Sequence, residues 1–398
     1  MEVEPLLWAG HSFAGRLAVQ LCTHPVPLAR PDFECALAAC LRQFPALSRA
    51  MESTPKARRV VQGHGVKRRP TWNLVRENAD VLGLLQRSRK HWANAMAAAE
   101  ISWHCVVFER GRADVVCAFI YDRSIFDAQS WPVVWRFLVQ PTPDGSGGGQ
   151  DTAGRDAAFL RAAYRNVGGG SPRWGLAQAA WRRTSLRDCA GRRRHNTPTG
   201  ASRCTLLSTG ALAAWNRALA SCDDASVALE ACTAACVAMH VARSRGGTPL
   251  RIVRLLLHTD LRTLPAGMHA ASVGAMQSWV ALDFPVGCLQ DFRMAAKTAC
   301  CGIQAAVAAG DALLMASVAD SVRTPCLFKA CALVERHLPL FDAQVLCVRT
   351  AGARQFWGAL SPSRRPTVAV FASATGCSVT APLPAAETLA PALLSVLC

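Results

Sequence analysis

The chain of 398 residues is 51% hydrophobic and 18% charged, a composition that supports a folded core and excludes an intrinsically disordered chain. At roughly 100–200 residues per domain, this length predicts two domains or subdomains. The net charge of +17 is typical of proteins that bind polyanions, but 39 of the 44 basic residues are arginine, a bias that GC-rich coding also produces. We therefore expect a globular protein whose partner is not nucleic acid.

Neither a metal site nor a secretory signal is evident in the sequence. The 18 cysteines include no C-x-x-C pair and no Cys/His group with zinc-finger spacing, so we expect reduced thiols. The start, Met-Glu-Val-Glu, has acids where a secretory signal has cations, and the longest apolar stretch, 299–319, has Asp311 near its middle. We predict a cytoplasmic protein without a transmembrane segment.

The first predicted element is an amphipathic helix. Apolar residues recur at helical spacing from Phe33 to Phe44, and the acid Asp32 lies in the first turn. Pro45 marks the end of this helix. Its apolar face predicts a place in the core.

A β-hairpin follows, and its second strand leads to a polar loop. The pattern alternates over 103–107, breaks over 109–114 and is almost continuously apolar over 115–120, which predicts a second strand buried on both faces. Residues 121–130 then lead into an apolar helix over 131–139. Polar groups between a strand end and a helix are often part of functional sites, so this loop is where we expect chemistry.

Residues 141–156 are rich in Gly, Pro and Ser and cannot pack as a regular element, so we place the subdomain boundary there. This predicts an N-terminal subdomain over 1–157, a crossing segment over 158–204 and a C-terminal subdomain over 205–398. Clustered arginines in the crossing segment form either a phosphate-binding patch or a solvated surface: Arg182, Arg183, Arg187, Arg192, Arg193 and Arg194.

The second half repeats an alternation of helices and strands. Its pattern predicts helices over 209–221, 225–243 and 289–309, and strands over 250–260, 345–349 and 367–373. A last hairpin turns at Thr375-Gly376, and a terminal helix begins near Ala385. Helices and strands alternate in both halves, so the fold class is α/β or mixed α+β.

Several short motifs occur in an order that resembles one known superfamily. Pro45-Ala46-Leu47 ends the opening helix, Asp260-Leu261-Arg262 ends a strand, and Ser373-Ala374-Thr375-Gly376 lies in the last hairpin. Over nearly the whole chain, the sequence resembles condensation-type, CoA-dependent acyltransferases, relatives of chloramphenicol acetyltransferase that include wax ester synthases, alcohol acyltransferases and peptide-synthetase condensation domains. The resemblance implies two chloramphenicol acetyltransferase-like subdomains that form a V with a central tunnel.

The family motif His-His-x-x-x-Asp-Gly is degenerate in this chain. Residues 122–128, the motif loop, read Asp-Arg-Ser-Ile-Phe-Asp-Ala, so Asp127 matches the family's aspartate and Arg123 stands at the position of its second histidine. In the family, that histidine removes a proton from the acceptor as it attacks the thioester. A guanidinium, with a pKa above about 12, is always protonated and cannot accept that proton.

The resemblance implies transfer of an acyl group from a CoA or carrier-protein thioester to a hydroxyl or amine, without a tightly bound cofactor. The implied partners are the thioester donor, a small-molecule acceptor and, for carrier-bound donors, a carrier protein. The resemblance also implies that Asp127 holds the motif loop by pairing with Arg262, and that Asp122 supports the site.

Three interpretations of the altered motif stay open. In the first, acyl transfer persists and Arg123 binds a phosphate, carboxylate or oxyanion, while the substrate itself or another group, such as His104 or His269, acts as the base. In the second, the fold is kept as a catalytically inactive binding or scaffold protein. In the third, the motif is misaligned and another histidine, such as His11, is the base.

Overall fold

A computed structural model describes two long parts of the chain. It describes residues 16–139, with gaps at 25–28, 54–57, 63–69, 78, 111–113 and 124, and residues 202–382, with gaps at 208, 223, 245–250, 264–272, 275, 314–340, 351–354, 360–366 and 374–375. The predicted linker, the arginine cluster of the crossing segment and the predicted terminal helix near Ala385 lie outside these residues.

The first described part contains the elements that lead to the motif loop. They are β1 (Leu17–His24), α1 (Arg30–Gln43), β2 (Arg49–Ser53), β3 (Arg58–Gln62), β4 (Thr71–Val75), α2 (Val81–Arg87), α3 (Arg89–Ala98), β5 (Trp103–Arg110), β6 (Asp114–Asp122) and α4 (Ser130–Val139). The predicted first helix, the hairpin and the apolar helix are confirmed as α1, β5–β6 and α4. Residues 115–121 of β6 are all buried, as the continuous apolar run predicts.

The second described part contains the strands that face this loop. Its elements are β7 (Ser202–Leu206), α5 (Thr209–Ala220), α6 (Ala228–Ser244), β8 (Ile252–Asp260), β9 (Gln277–Pro285), α7 (Phe292–Ala308), β10 (Ala343–Arg349), β11 (Gln355–Ala359), β12 (Thr367–Ala372) and β13 (Cys377–Pro382). The predicted helices α5 and α6, the strands β8, β10 and β12 and the last hairpin are confirmed. None of the helices in the described ranges has the length and hydropathy needed to cross a bilayer.

The strands form two large sheets and a small ribbon. The N-terminal sheet has the strand order β11-β1-β6-β5-β4, the C-terminal sheet has the order β7-β13-β12-β10-β8-β9, and β2 pairs with β3. β4 runs parallel to β5, and β10 runs parallel to β8 and β12. The other described pairs are antiparallel, so the fold class is mixed α+β, with two subdomains.

Alternate side chains of a central strand enter two different cores. On β10, Val345 and Cys347 pack with α6 and α7, whereas Leu346 and Val348 pack with α1 and α4 of the other half. The motif loop contributes Phe126 to this second core. Burial of such side chains on both faces of β10 joins the two sheets through apolar contact as well as through polar groups.

One strand crosses from the C-terminal part of the sequence into the N-terminal sheet. β11 lies between β10 and β12 in the sequence, but it pairs antiparallel with β1, with Gly358 opposite Gln20. The strands of the predicted subdomain 205–398 therefore do not all lie in the C-terminal sheet, because residues 355–359 form an edge strand of the N-terminal sheet. The boundary predicted within 141–156 stays a prediction.

The helix predicted over 289–309 begins later than its apolar pattern suggests. Residues Val286–Gln290 form a 3-10 turn, and α7 begins at Phe292. Asp291 caps this helix because its side chain accepts a 2.8 Å hydrogen bond from the backbone N–H of Met294. This cap fixes the first turn of α7 at Phe292. The apolar residues before Asp291 belong to the 3-10 turn, so the apolar pattern begins earlier than the helix.

Gly358→Ala is expected to destabilise the exchanged strand. A Cβ at this position would lie 2.5 Å from the backbone oxygen of Val19 and 3.1 Å from the ring of Phe371, so a strand must shift. Such overpacking costs roughly 1–3 kcal/mol, which urea denaturation measures. Gly287→Ala, where a Cβ meets no atom within 4 Å, is the matched control. Equal unfolding midpoints for the two variants would contradict this close approach of β11 to β1.

Candidate functional site

A buried ion pair joins the motif loop to the C-terminal sheet. Arg262, shortly after β8, donates from Nη1 to Oδ2 of Asp127 at 3.0 Å and from Nη2 to Oδ1 at 3.2 Å. The Asp127 side chain is fully buried and that of Arg262 is 3% exposed. The structure thus brings together, across 135 positions, the two residues that the resemblance pairs. Two parallel hydrogen bonds fix the orientation of the loop as well as its distance.

Asp127 also caps the helix that follows the loop. Its Oδ1 accepts a 2.8 Å hydrogen bond from the backbone N–H of Ser130, and its Oδ2 accepts a 2.6 Å hydrogen bond from that of Met276. The carbonyl of Gly274 accepts from Arg262 at 3.1 Å, and its N–H donates to Ser130 Oγ at 3.0 Å. Gly274 has a φ of 139°, which favours glycine. The carboxylate of Asp127 therefore has a positioning role that engages both oxygens.

A second carboxylate shares the same guanidinium. Asp260 Oδ1 accepts a 2.9 Å hydrogen bond from Arg262 Nη1. Burial raises the pKa of Asp260, although the charge of Arg262 opposes this. Burial alone would lower the pKa of Arg262, but the charges of Asp127 and Asp260 outweigh it and raise that pKa. Arg262 is thus a permanent cation between two carboxylates.

The first residue of the motif loop is anchored to β1. The guanidinium of Arg16 donates from Nη2 to Oδ2 of Asp122 at 2.9 Å and from Nε to both carboxylate oxygens at 3.2 Å. Asp122 is fully buried. The resemblance implies Asp122 as support for the site but does not identify its partner Arg16, because no local pattern marks β1 as the neighbour of β6.

Arg123 lies in a buried cluster of basic groups. It is 3% exposed, and its backbone N–H donates to the carbonyl of Arg16 at 3.2 Å. The guanidinium of Arg89 donates to the next carbonyl along β1, that of Leu17. Burial and then the charge of Arg123 lower the pKa of Arg89 to about 10. Two guanidinium groups in one region of the protein attract an anionic oxygen of a small molecule.

A buried histidine of β8, His258, has no counterpart among the residues predicted from the sequence. It is 5% exposed on β8, and its Nε2 lies 3.4 Å from Oε1 of Gln344 on β10. Burial and then the charge of Arg123 lower the pKa of His258 to about 4, so the imidazole is neutral at neutral pH. Strand alternation could have found it, because position 258 shares a face with Asp260, two residues further along β8.

The structure places the ring of His104 between β4 and α3. Its Nε2 lies 2.8 Å from Thr71 Oγ1, and its ring stacks on Trp92 of α3 at 5.5 Å between centroids. The preceding residue, Trp103, packs on the opposite face of the sheet with α4. The other two candidate bases, His269 and His11, lie outside the described residues. Within the described ranges, no group of three or more His, Cys, Asp or Glu residues has a geometry that could hold a metal ion.

No known protein family and no curated protein matches the sequence. Solved structures match it in fold. The condensation domain from Monacolin K polyketide synthase MokA has a TM-score of 0.64 at 12% identity and covers 96% of this chain and 92% of its own. The epimerization domain from the third module of tyrocidine synthetase B gives 0.65 at 10% identity, with 99% and 94% covered. The starter condensation domain of rhizomide synthetase RzmA, in complex with C8-CoA, gives 0.57 at 12% identity, with 96% and 90% covered.

The chain has the condensation-domain fold. This finding confirms the fold that the resemblance implies, with two chloramphenicol acetyltransferase-like subdomains. At such low identity, the likeness establishes the fold alone, so the chemistry of this condensation fold has to be argued from its own residues. The tunnel between the two subdomains stays a prediction.

Asp127→Ala is expected to destabilise the protein strongly. Removing this carboxylate takes one partner from the buried charge of Arg262. We therefore expect the free energy of unfolding to fall by about 3–5 kcal/mol. Glu109→Ala is the control, because Glu109 pairs with the exposed Arg30 at 3.6 Å and such surface pairs contribute about 0–1 kcal/mol. Urea denaturation of both variants tests the difference, and similar losses would show that the buried pair is not a main anchor.

The neutral imidazole of His258 predicts a pH dependence of stability. Its pKa is about 4 in the folded protein against an ordinary 6.5, so the unfolded chain binds the proton more readily and stability falls as the pH drops from 6.5 towards 4. His258→Gln removes this titration and is expected to lose less stability across that window, by on the order of 3 kcal/mol. Urea denaturation across the window measures the difference, and His91→Gln, at an exposed histidine of α3, is expected to follow the wild type. Parallel curves for His258→Gln and the wild type would contradict a buried neutral imidazole.

Proposed function

We propose that this protein is a divergent acyltransferase that transfers an acyl group from a CoA or carrier-protein thioester to a hydroxyl or amine acceptor. The observation that supports this most is the buried pair of Asp127 and Arg262, which anchors the loop in which, by resemblance, Arg123 stands at the position of the family's base. Fixed polar groups in a site that excludes water are usually the largest contribution to catalysis. A loop held by a buried ion pair and a helix cap is suited to that role.

In this proposal, Arg123 stabilises negative charge instead of removing a proton. The attack of an acceptor on a thioester carbonyl creates an oxyanion, and a buried guanidinium is a strong partner for it. Arg89, which donates to the carbonyl of Leu17 close by, adds positive charge to the same region. A carboxylate or phosphate of the substrate is the other anionic group that these arginines could bind.

The donor is inferred from the structural relatives. The RzmA starter condensation domain is in complex with C8-CoA, and a condensation domain of the calcium-dependent antibiotic synthetase is in complex with a substrate analogue. By likeness, the donor of this chain would be an acyl-CoA or acyl carrier thioester, used as a co-substrate, and the acceptor a small molecule. The described cysteines are free thiols, which suits the reducing cytoplasm as the place of the reaction.

The alternative is a catalytically inactive binding or scaffold protein with the same fold. The observation that favours it is again Arg123, because a guanidinium cannot act as the base that the family's mechanism requires. The anchoring of Asp127 and Arg262 is compatible with either function, since it stabilises the fold whether or not chemistry occurs. Only the transferase requires residues of the motif loop for thioester turnover.

Release of free thiol from a panel of acyl-CoA thioesters, with a mixed pool of alcohols and amines, tests the proposal. The wild type is expected to turn over, and Arg123→Ala is expected to lose about 10²–10³-fold of kcat, as after removal of an oxyanion donor. Arg30→Ala, at a half-exposed arginine, is the matched control and is expected to keep wild-type activity. Thermal unfolding of each variant shows whether it is folded.

Arg123→His separates the two candidate functions. A silent wild type together with an active Arg123→His variant would mean that the substrate sites are intact and that the natural protein is a binding protein. Silence from the wild type and both Arg123 variants would overturn the transferase. Full activity of a folded Arg123→Ala variant would remove Arg123 from the mechanism.

A further inference from the structure

A histidine of the C-terminal sheet lies on the face that meets the motif loop. On β8, Leu255 and Leu257 pack into the helical core, so the alternate side chains point to the opposite face. His258 and Asp260 share that opposite face, about 7 Å apart along the strand. Asp260 pairs with Arg262, which holds the motif loop. His258 therefore lies two residues before Asp260, the carboxylate that pairs with the residue holding the motif loop.

A chain of hydrogen bonds orients the imidazole. Thr367 Oγ1 donates to Oε1 of Gln344 at 3.4 Å, and the same oxygen lies 3.4 Å from Nε2 of His258. An amide oxygen only accepts hydrogen bonds, so the tautomer that pairs with it is the one with the proton on Nε2 and the lone pair on Nδ1. An imidazole whose second nitrogen is held by an orienting acceptor is the arrangement of the base in catalytic triads.

We infer that His258 is the proton acceptor that replaces the missing motif histidine, with Gln344 as its positioning residue. The inference rests on the proposed function. As the oxygen or nitrogen of the acceptor attacks the thioester carbonyl, its proton passes to Nδ1 of His258. Collapse of the tetrahedral intermediate breaks the C–S bond, and the imidazolium returns the proton to the leaving thiolate. Every atom and charge is then accounted for without a further reactant.

The charge of Arg123 affects the protonation of His258. Burial and the charge of Arg123 keep the imidazole neutral before the reaction. An oxyanion that forms beside Arg123 offsets this charge, so protonation of His258 becomes favourable when the acceptor attacks. A weak base in the resting protein thereby gains strength at the transition state, and the arginine at the motif position is part of the mechanism instead of an obstacle to it.

Thiol release from acyl-CoA by four proteins tests this inference: the wild type, His258→Ala, His258→Gln and the control His240→Gln. General-base catalysis contributes about 10²–10⁴-fold, so both His258 variants are expected to lose that much of kcat with little change in KM. Imidazole added to the buffer is expected to restore part of the turnover of His258→Ala, because it fills the space of the lost ring. His240, a partly exposed histidine of α6, is expected to be dispensable.

The outcomes separate this inference from the function on which it rests. Wild-type turnover that persists in a folded His258→Gln or His258→Ala variant overturns the role of His258 and leaves the transferase standing. A loss that tracks the unfolding midpoint and is not restored by imidazole also overturns it, because a structural role explains that result. A wild type that releases no thiol overturns both. A loss of kcat in folded variants with rescue by imidazole supports the inference.

Discussion

Two carboxylates, the fully buried Asp127 and the partly exposed Asp260, share the buried guanidinium of Arg262. The desolvation of these charges is costly, and only complete pairing offsets it, so the three groups must meet in one geometry. Because Asp127 also caps α4 and accepts from the backbone of Met276, the same carboxylate fixes the motif loop, the next helix and the start of β9. The apolar surfaces of the two halves add contact area, whereas this ion-pair cluster fixes the position of the motif loop against the C-terminal sheet.

The elements with strong internal patterns could be predicted from the sequence. The helix α1, the hairpin β5–β6 and the apolar strand β10 follow from residues that are neighbours in the chain. The pairing of Asp127 with Arg262 required the resemblance to a family, since 135 positions separate them. Local patterns show which side chains are apolar, but they do not show which distant charges meet.

The rest depended on tertiary contacts. β1 and β11 are short strands whose pairing joins opposite ends of the chain, and no turn between them reveals it. His104 suggested itself by its position before the motif loop, but β5 turns it towards α3, where Trp92 covers it. His258 lacked a motif of its own, and its contact with Gln344 depends on the pairing of β8 with β10. The sequence gives the chemistry of each side chain, but it does not give the side chain's neighbours on strands that are distant in the chain.

β11 is synthesised long after the strand with which it pairs. Roughly 340 residues separate Val19 from its partner Ala359, so β1 has an unpaired edge while most of the chain is being made. Such an edge is a template for pairing with other chains, and closing so long a loop slows folding. In a nascent chain, this edge of β1 stays unpaired until residue 359 is available. A truncation before β11 would remove an edge strand of the N-terminal sheet together with β12 and β13 of the C-terminal sheet.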